Sequence, residues 1–426
     1  MALVSLSVKG QTAMDIACEM YPGWNLGNTL EAVSTWENNR LKWETTWQGT
    51  KTSQAVIDFV KEQGFRAVRI PCAWYMHSDT NNQIDVAWMD RVQEIVDYCF
   101  KAGLYVVLND HWDNGWVENS FGDVSEATVA KNCSIMTKMW TQIAERFKDY
   151  DHHLLFAGLN EPNVDDAAKT KALLRYEQAF IDAVRATGGR NASRVLVVQG
   201  PSTDIDQTNI LYNTLPTDTA PHALMVEVHF YAPYNFAMMI QDEPWGHQAY
   251  YWGKSNHVSG SIHNATWGEE SWMLEQFKKM KKKFVDKGIP VLLGEFAAIW
   301  RTMPSGEDQE KHNLSIYQWY KTVCQYSINH GMLPFVWDTN ACDRSLSHPC
   351  GDLLNRQTLR VYNSYAMNGI TDGIAAGTWP YASTIESVEG PSIEEKPTPA
   401  CNLVGLRVGD DHHGIMIRNG RKMLVK

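Results

Sequence analysis

The sequence predicts an α/β fold, a (β/α)8 TIM barrel in which parallel strands alternate with helices. Three observations favour this fold class. Short apolar runs of strand length alternate with longer runs of helical periodicity through most of the 426 residues. The run at 154–159 is apolar throughout, as expected for a strand buried on both faces of a parallel sheet. Glycines stand at or just past the ends of several predicted helices, the usual position after a helix.

Eight strands and six long helices can be assigned in order along the chain. The predicted strands are 23–26, 67–70, 104–108, 154–159, 195–198, 224–230, 291–296 and 332–337. The predicted helices are 53–63, 86–102, 130–147, 169–186, 270–287 and 311–329. The glycines that mark helix ends are Gly64, Gly103, Gly188 and Gly288. A doubly wound open sheet is the alternative, but it favours a G-x-G-x-x-G turn after the first strand. The segment 23–27 does not have that pattern.

Two regions depart from the repeating strand and helix pattern. A long insertion follows the sixth strand, between 231 and 290, and is rich in aromatic residues. Long loops at the rim of a barrel are usually functional. After the barrel domain, expected at 1–381, the segment 382–400 has the polar, Pro- and Glu-containing composition of a linker. The remaining tail, 401–426, carries a hairpin signal at Asn419-Gly420.

Composition excludes some classes of function. The net charge of −11 and the scattered basic residues argue against a nucleic-acid partner. No apolar run reaches about 18 residues, so we expect no membrane span. The first ten residues lack the charged start and long apolar run of a signal peptide. The 17 tryptophans suggest stacking surfaces, although most tryptophans lie in protein cores.

The cysteines and paired histidines allow few conclusions. The eight cysteines form no CxxC pattern; Cys342 and Cys350 could pair, whereas Cys72 and Cys99 are expected to be free and buried. His152-His153 and the segment 410–413 resemble metal ligands but lack the spacing of known zinc motifs, so solvated side chains are the favoured interpretation. We expect neither a metal nor a cofactor.

Two predicted strands end in a glutamate. Glu161 follows the fourth strand in the run Asn160-Glu161-Pro162, and Glu295 closes the seventh strand. A closed barrel brings the carboxyl ends of its strands to one rim, where active sites of this fold lie. Two carboxyl groups that face each other across a cleft are what glycoside hydrolysis requires.

Other strands also end in ionisable or aromatic groups. Arg69 ends the second strand, His111 and Trp112 follow the third, and Trp337 ends the eighth. Glu227, His229 and Tyr231 occupy every second position along the sixth strand, so His229 and Tyr231 point the same way. Each group alone has an ordinary structural explanation, such as an ion pair or a satisfied core histidine. Their joint occurrence at one rim is what indicates an active site.

The motifs over residues 20–375 resemble glycoside hydrolase family 5, the cellulase family, and most closely its endoglucanase subfamily 4. The segments that carry the resemblance are 23–28, 69–71, 159–162, 228–233, 294–296 and 335–337. The family's functional set matches Arg69, His111, Asn160, Glu161, His229, Tyr231, Glu295 and Trp337. One departure is Trp112, where many members carry a second histidine or another polar residue, so the contact near His111 differs.

The resemblance implies a retaining mechanism with Glu161 as acid/base and Glu295 as nucleophile. Glu295 should raise the pKa of Glu161, while Arg69 and Tyr231 should stabilise the Glu295 anion. Asn160 could bond the sugar 2-hydroxyl, and His229 could tune Glu161. Asn28, Trp112, Trp116, Trp252 and Trp337 are the candidate substrate-binding residues.

The sequence therefore predicts a retaining, endo-acting hydrolase of β-1,4-glucan. The candidate polymers are cellulose, mixed-linkage glucan and xyloglucan. Mannanase or xylanase activity in the same family is an alternative, because loop positions decide specificity. A non-catalytic carbohydrate-binding barrel is the other alternative, although such a protein would be expected to lose Glu161 or Glu295. We expect a bacterial monomer that is secreted or held at the cell surface, with a polysaccharide substrate as its partner. The stretch 418–422 resembles the end of a bacterial secretion module.

Overall fold

The computed structural model describes residues 12–342 and 353–381, together with four short strands in the tail at 400–402, 407–408, 414–418 and 421–425. Cys350, the segment 410–413 and nearly all of the predicted linker lie outside the described residues.

Eight parallel strands close into a barrel in the order of the sequence. They are β1 Gly23–Asn25, β2 Ala67–Ile70, β3 Tyr105–Asn109, β4 Leu154–Ala157, β5 Leu196–Gln199, β6 Leu224–Phe230, β7 Val291–Phe296 and β8 Met332–Val336. The barrel closes where Gly23 and Trp24 of β1 lie opposite Phe335 and Val336 of β8. The predicted (β/α)8 barrel is confirmed, and the open sheet is excluded because both of its edge strands would be unpaired.

The helices surround the barrel. They are α1 Ala13–Ala17, α2 Gln54–Glu62, α3 Val86–Lys101, α4 Glu126–Arg146, α5 Ala167–Ala186, α6 Ile205–Leu211, α7 Tyr234–Ala237, α8 Glu270–Lys283, α9 Gly306–Asn329 and α10 Ser364–Ala376. All six predicted helices are present. Side-chain caps explain where some begin: Ser125 accepts from Thr128 N before α4, and Asp166 accepts from Ala168 N and Lys169 N before α5. The short helices α1, α6 and α7 and the later α10 were not predicted.

Apolar side chains fill two layers that fix the strands. One layer lies between strands and helices and includes Cys72 and Cys99, which are buried as predicted. The other includes Val107, Leu155 and Leu292, which alternate in sequence with the first set. The strands are thus buried on both faces, which is why their sequences are apolar throughout.

The tail forms a second compact unit, Ser383–Lys426, separate from Met1–Ala382. Its strands Gly414–Arg418 and Arg421–Val425 pair antiparallel, with Arg418 opposite Arg421, so the predicted hairpin is present. Two further strands, Ala400–Asn402 and Arg407–Val408, extend the hairpin into a four-stranded sheet. Over the described part of the chain, no helix has the length and apolar character needed to cross a bilayer.

Candidate active site

Glu161 and Glu295 lie close together at the carboxyl ends of β4 and β7. A carboxylate oxygen of each lies within 4.8 Å of the other and of a His229 ring nitrogen. The side chain of Glu161 is 46% exposed, whereas that of Glu295 is 6% exposed. The barrel therefore brings two residues that are distant in sequence into one constellation, with Glu161 the more accessible of the two.

Arg69 of β2 holds several of the surrounding groups. Its Nη1 donates to Glu295 Oε1 and to Asn25 Oδ1, each at 3.0 Å, and its Nη2 donates to Asn160 Oδ1 at 2.9 Å. Its Nε lies 2.9 Å from Glu227 Oε1. The guanidinium is fully buried, so its charge is compensated by two carboxylates instead of water. This fixes Asn160 with its amide oxygen on Arg69.

Glu295 is stabilised as an anion from two sides. The Tyr231 hydroxyl donates to Glu295 Oε2 at 2.7 Å, while Arg69 bonds the other oxygen. Burial raises the pKa of Glu295, and Glu161 adds to that rise; the charges of His229 and Arg69 act in the opposite direction. The pKa nevertheless remains above its ordinary value.

His229 of β6 joins Glu161 to Glu227. Its Nδ1 lies 2.6 Å from Glu161 Oε1, and its Nε2 lies 3.3 Å from Glu227 Oε1. Burial alone would lower the pKa of His229, but the carboxylates of Glu295, Glu161 and Glu227 raise it to about 10. The imidazole is therefore protonated at neutral pH and carries a positive charge into the site.

The expected rise in the pKa of Glu161 is not found. Burial acts to raise it, but the hydrogen bond and charge of His229, together with the charge of Arg69, lower the pKa overall. The sequence-based expectation considered only the repulsion from Glu295 and did not anticipate a protonated imidazole at 2.6 Å. The same His229 Nδ1 lies 3.7 Å from Glu295 Oε2, so the two carboxyls share one charged neighbour.

Sequence reasoning missed two carboxylates of this network as site residues. Glu227 is fully buried and accepts from Gln199 Nε2 at 2.7 Å in addition to its pairing with Arg69. Its position two residues before His229 was noted in the sequence, but its pairing with Arg69 was not anticipated. Glu118, in the loop after β3, accepts from the backbone N–H of Glu161 at 3.2 Å. No motif in the sequence indicates that contact.

His111 and Trp337 stack at the rim. Their ring centroids are 5.5 Å apart with an interplanar angle of 7°. Burial and the charge of Arg69 lower the pKa of His111, so its ring is neutral. Trp337 also forms a small buried cluster with Ala297, against which Tyr231 packs, so it lies on the Glu295 side of the site.

The remaining predicted substrate-binding residues have different environments. Trp112 is 41% exposed. Trp116 stacks on Tyr75 at 5.3 Å and donates to Asp110 Oδ2 at 3.0 Å, so its ring is held rigidly. Asn28 is half-buried and has a left-handed backbone, with its N–H donating to Glu31.

The prediction for Trp252 is wrong. Its side chain has no exposed surface, and its indole N–H donates to the carbonyl of Gly268 at 3.0 Å. The residue packs in the core beneath the insertion after β6 instead of facing the cleft. An aromatic-rich loop must still bury some of its rings to be stable, and sequence alone does not identify which.

A cavity of about 430 Å3 opens beside Glu161. It is lined on the barrel side by Glu161, His229 and Tyr231, and on the insertion side by Tyr234, Trp267 and Trp272. We call it the catalytic cavity. Aromatic faces next to carboxylate and imidazole groups suit a ligand that has apolar faces and polar rims, such as a sugar ring.

Within the part of the chain that the structure describes, Asp151, His152 and His153 also lie close enough together to hold a metal ion. This cluster precedes β4 and therefore lies at the opposite end of the barrel from Glu161. His153 Nδ1 lies 2.9 Å from Asp151 Oδ1, and both side chains are partly exposed, consistent with solvated charge. The cluster is not part of the site described above.

Comparison with known proteins is consistent with this geometry. The family described as cellulase, glycosyl hydrolase family 5, matches residues 28–343. A xyloglucan-specific endo-β-1,4-glucanase of Bacteroides ovatus is 33% identical over an alignment of 374 residues that covers 85% of this chain and 70% of the relative.

Two solved structures are also similar. A family 5 xyloglucan-specific β-1,4-glucanase from a ruminal metagenomic library, in complex with XXLG, has a TM-score of 0.80 and 46% identity; the match covers 87% of this chain and 98% of the other. A broad-specificity endoglucanase of Ruminococcus champanellensis with bound cellotriose has a TM-score of 0.70 and 31% identity, with coverages of 84% and 98%.

Proposed function

The chain belongs to glycosyl hydrolase family 5, the cellulase family, and we propose that it is an endo-acting β-1,4-glucanase that retains the anomeric configuration. The observation that supports retention best is the separation of the two carboxylates, whose oxygens lie within 4.8 Å. Retaining enzymes place their carboxyl groups about 5–5.5 Å apart, whereas inverting enzymes need about 6.5–9.5 Å for a water molecule.

In the first step, the Glu295 carboxylate attacks the anomeric carbon and the bond to the leaving oxygen breaks. Glu161 gives its proton to that oxygen. His229 can supply this proton, because its Nδ1 lies 2.6 Å from Glu161 Oε1. Passing the proton to that oxygen leaves a neutral imidazole. The products of the step are a glycosyl ester on Glu295 and a free sugar hydroxyl.

In the second step, Glu161 acts as base. It takes a proton from a water molecule whose oxygen attacks the anomeric carbon, and Glu295 leaves as a carboxylate. Arg69 and Tyr231, at 3.0 and 2.7 Å, stabilise that leaving anion. Arg69 Nη2 donates to the amide oxygen of Asn160. The amide N–H groups therefore point away from Arg69 and can donate to a sugar 2-hydroxyl.

The substrate we propose is xyloglucan or a related β-glucan. The relative with 46% identity is xyloglucan-specific, and a broad-specificity endoglucanase shares the fold at 31% identity. Initial rates of reducing-sugar release on xyloglucan, mixed-linkage glucan, carboxymethyl cellulose, xylan and mannan will test this. Faster hydrolysis of mannan or xylan would overturn it, and no hydrolysis of any polymer would favour a non-catalytic barrel. A polymeric substrate also supports an extracellular site of action.

The mechanism is tested by the stereochemistry of the first product. Proton NMR early in the reaction should show the β-anomer before mutarotation, whereas an initial α-anomer would exclude Glu295 as nucleophile. Glu161→Ala should keep far more activity on aryl glycosides with good leaving groups than on polymer, because those leaving groups need no proton. Azide should accelerate the slowed second step of that variant.

A further inference from the structure

The insertion after β6 forms a second cavity next to the catalytic cavity. It has a volume of about 600 Å3, and its walls include Tyr234, Trp245 and Trp267. Tyr234 and Trp267 also line the catalytic cavity, so the two spaces share a wall. We call the second space the insertion cavity.

Its aromatic rings are unusually accessible. Trp245 is 66% exposed, Tyr234 is 47% exposed and Trp267 is 43% exposed. Tyr234 and Trp245 lie with their ring centroids 6.0 Å apart. Exposed aromatic surface gathered in a concave site marks a binding surface.

The walls of the insertion cavity are held by hydrogen bonds within the loop. Trp267 Nε1 donates to Asn235 Oδ1 at 3.1 Å, and Asn235 Nδ2 donates to the carbonyl of His247 at 2.7 Å. His247 in turn lies 2.8 Å from Asp242. These bonds fix Trp267 and the backbone near Trp245, so little ordering is required when a ligand binds.

The position of the catalytic cavity relative to the two carboxylates indicates which part of a substrate reaches this region. Glu161 lines the catalytic cavity, whereas neither Glu295 nor Trp337 does. In the proposed mechanism Glu161 protonates the leaving oxygen, while Glu295 lies under the sugar that becomes covalently bound. The catalytic cavity is therefore on the leaving-group side of the cut, and the insertion cavity continues it.

We propose that the insertion cavity binds sugar units of the leaving group, on the reducing-end side of the cut, with Trp245 as their outer platform. This inference rests on the proposed function. The apolar faces of the sugars would stack on Trp245 and Tyr234, and polar groups such as Asn235 and His247 would meet their hydroxyls.

The test uses the full chain and the variants Trp245→Ala and Trp245→Phe. The first removes the platform and the second keeps an aromatic face. On cellohexaose labelled at its reducing end, Trp245→Ala should raise KM about 3- to 10-fold with kcat nearly unchanged, because a shared binding contact is lost. On an aryl cellobioside, whose small leaving group does not reach Trp245, kinetics should match the wild type. Trp245→Phe should recover most of the lost affinity.

The cleavage pattern identifies the side of the cut. Losing affinity on the leaving-group side should move cleavage of cellohexaose towards the labelled end, giving shorter labelled products. A shift towards the unlabelled end, or unchanged KM and pattern, would overturn the inference. Tyr365→Ala, which removes an exposed aromatic ring from α10 outside both cavities, is the matched control. If the wild type hydrolyses no β-glucan, the proposed function fails. If the wild type is active and the Trp245 variants have the same kinetics and cleavage pattern, the inference alone fails.

Discussion

His229 Nδ1 lies 2.6 Å from Glu161 Oε1 while His229 Nε2 lies 3.3 Å from Glu227 Oε1, so one imidazole connects the accessible carboxylate to a fully buried one. Arg69 approaches the same Glu227 oxygen and also bonds Glu295. Three carboxylates thus share two positively charged groups. The protonation of the catalytic pair depends on this balance more than on the repulsion between Glu161 and Glu295 alone.

His229→Asn should move the alkaline limb of the pH–rate profile to lower pH. The pKa of His229 is raised to about 10, so at neutral pH the imidazole holds the proton that it passes to Glu161. Without the imidazole the acid form depends on the carboxyl pair alone, and that pair loses its proton at lower pH. We expect a shift of at least about one unit with a lower maximal rate, measured as kcat/KM against pH. His152→Asn, at the opposite end of the barrel, is the control, and an unshifted limb in His229→Asn would contradict the assigned role.

Glu118→Gln should make stability less dependent on pH. Burial raises the pKa of Glu118 to about 8, with Glu161 and Glu295 adding to the rise. Because the pKa is higher in the folded than in the unfolded protein, the stabilisation from this proton is complete below about pH 4.3 and is lost as pH rises through about 8. Within that window the wild type should lose about 1.4 kcal/mol of unfolding free energy per pH unit from this group, and the variant should not. Urea unfolding at several pH values measures this.

Glu177→Gln is the matched control for Glu118→Gln. Glu177 is fully buried, its pKa is also raised to about 8 by burial, and its partners are Tyr212 and Gln199. Both variants should flatten the stability profile. Only Glu118→Gln should move the alkaline limb of kcat/KM, and to lower pH, because the Glu118 anion normally raises the pKa of the catalytic pair. Equal effects of both variants on the rate profile would show that Glu118 does not influence the pKa of the catalytic pair.

Gly294→Ala should disturb the site through Glu227. A Cβ at position 294 would lie 1.9 Å from Glu227 Oε1, and Arg69 and Gln199 hold that carboxylate in place. We expect a loss of about 1–3 kcal/mol in unfolding free energy together with a large fall in kcat. Gly122→Ala, where nothing lies within 4 Å of the added methyl, is the control. Wild-type kcat in Gly294→Ala would show that the position of Glu227 does not matter for catalysis.

The barrel and the main site were predictable because each depends on a local signal. Leu154–Ala157 and Val291–Phe296 are apolar strands that are followed by, or end in, polar groups, and a closed barrel brings those ends together. The burial of Trp252 and the contact of Glu118 with Glu161 depend instead on how two long loops fold over the rim. Such loops carry no period in their sequence, so neither feature could be inferred before the structure was known.

Removal of the tail should leave catalysis intact. A chain that ends at Ala382 keeps every residue of the site, and the contacts of the tail strands define a separate compact unit. We expect unchanged kcat/KM on β-glucan and a melting temperature within a few degrees of the full chain. A drop of many degrees would instead show that the tail packs on the barrel and stabilises it.

Replacement by alanine should have different effects at Trp112 and at Trp252. Trp112 is 41% exposed near His111, so Trp112→Ala should raise KM on cellohexaose with little change in kcat or stability. Trp252 is fully buried and bonded to Gly268, so Trp252→Ala should lower the unfolding free energy by about 3–5 kcal/mol. The folded fraction of Trp252→Ala should keep the wild-type KM.

Trp116 and Trp337 complete that comparison. Trp116→Ala should resemble Trp112→Ala, because Tyr75 and Asp110 hold the Trp116 ring as a rigid platform. Trp337→Ala should lower kcat strongly, because the cluster of Trp337 and Ala297 supports Tyr231, whose hydroxyl donates to Glu295. Steady-state kinetics on cellohexaose, with urea unfolding of each variant, separate the two kinds of effect. If Trp116→Ala left the kinetics unchanged, its ring would support the loop without contacting substrate, and Trp112 would remain the platform nearest to His111.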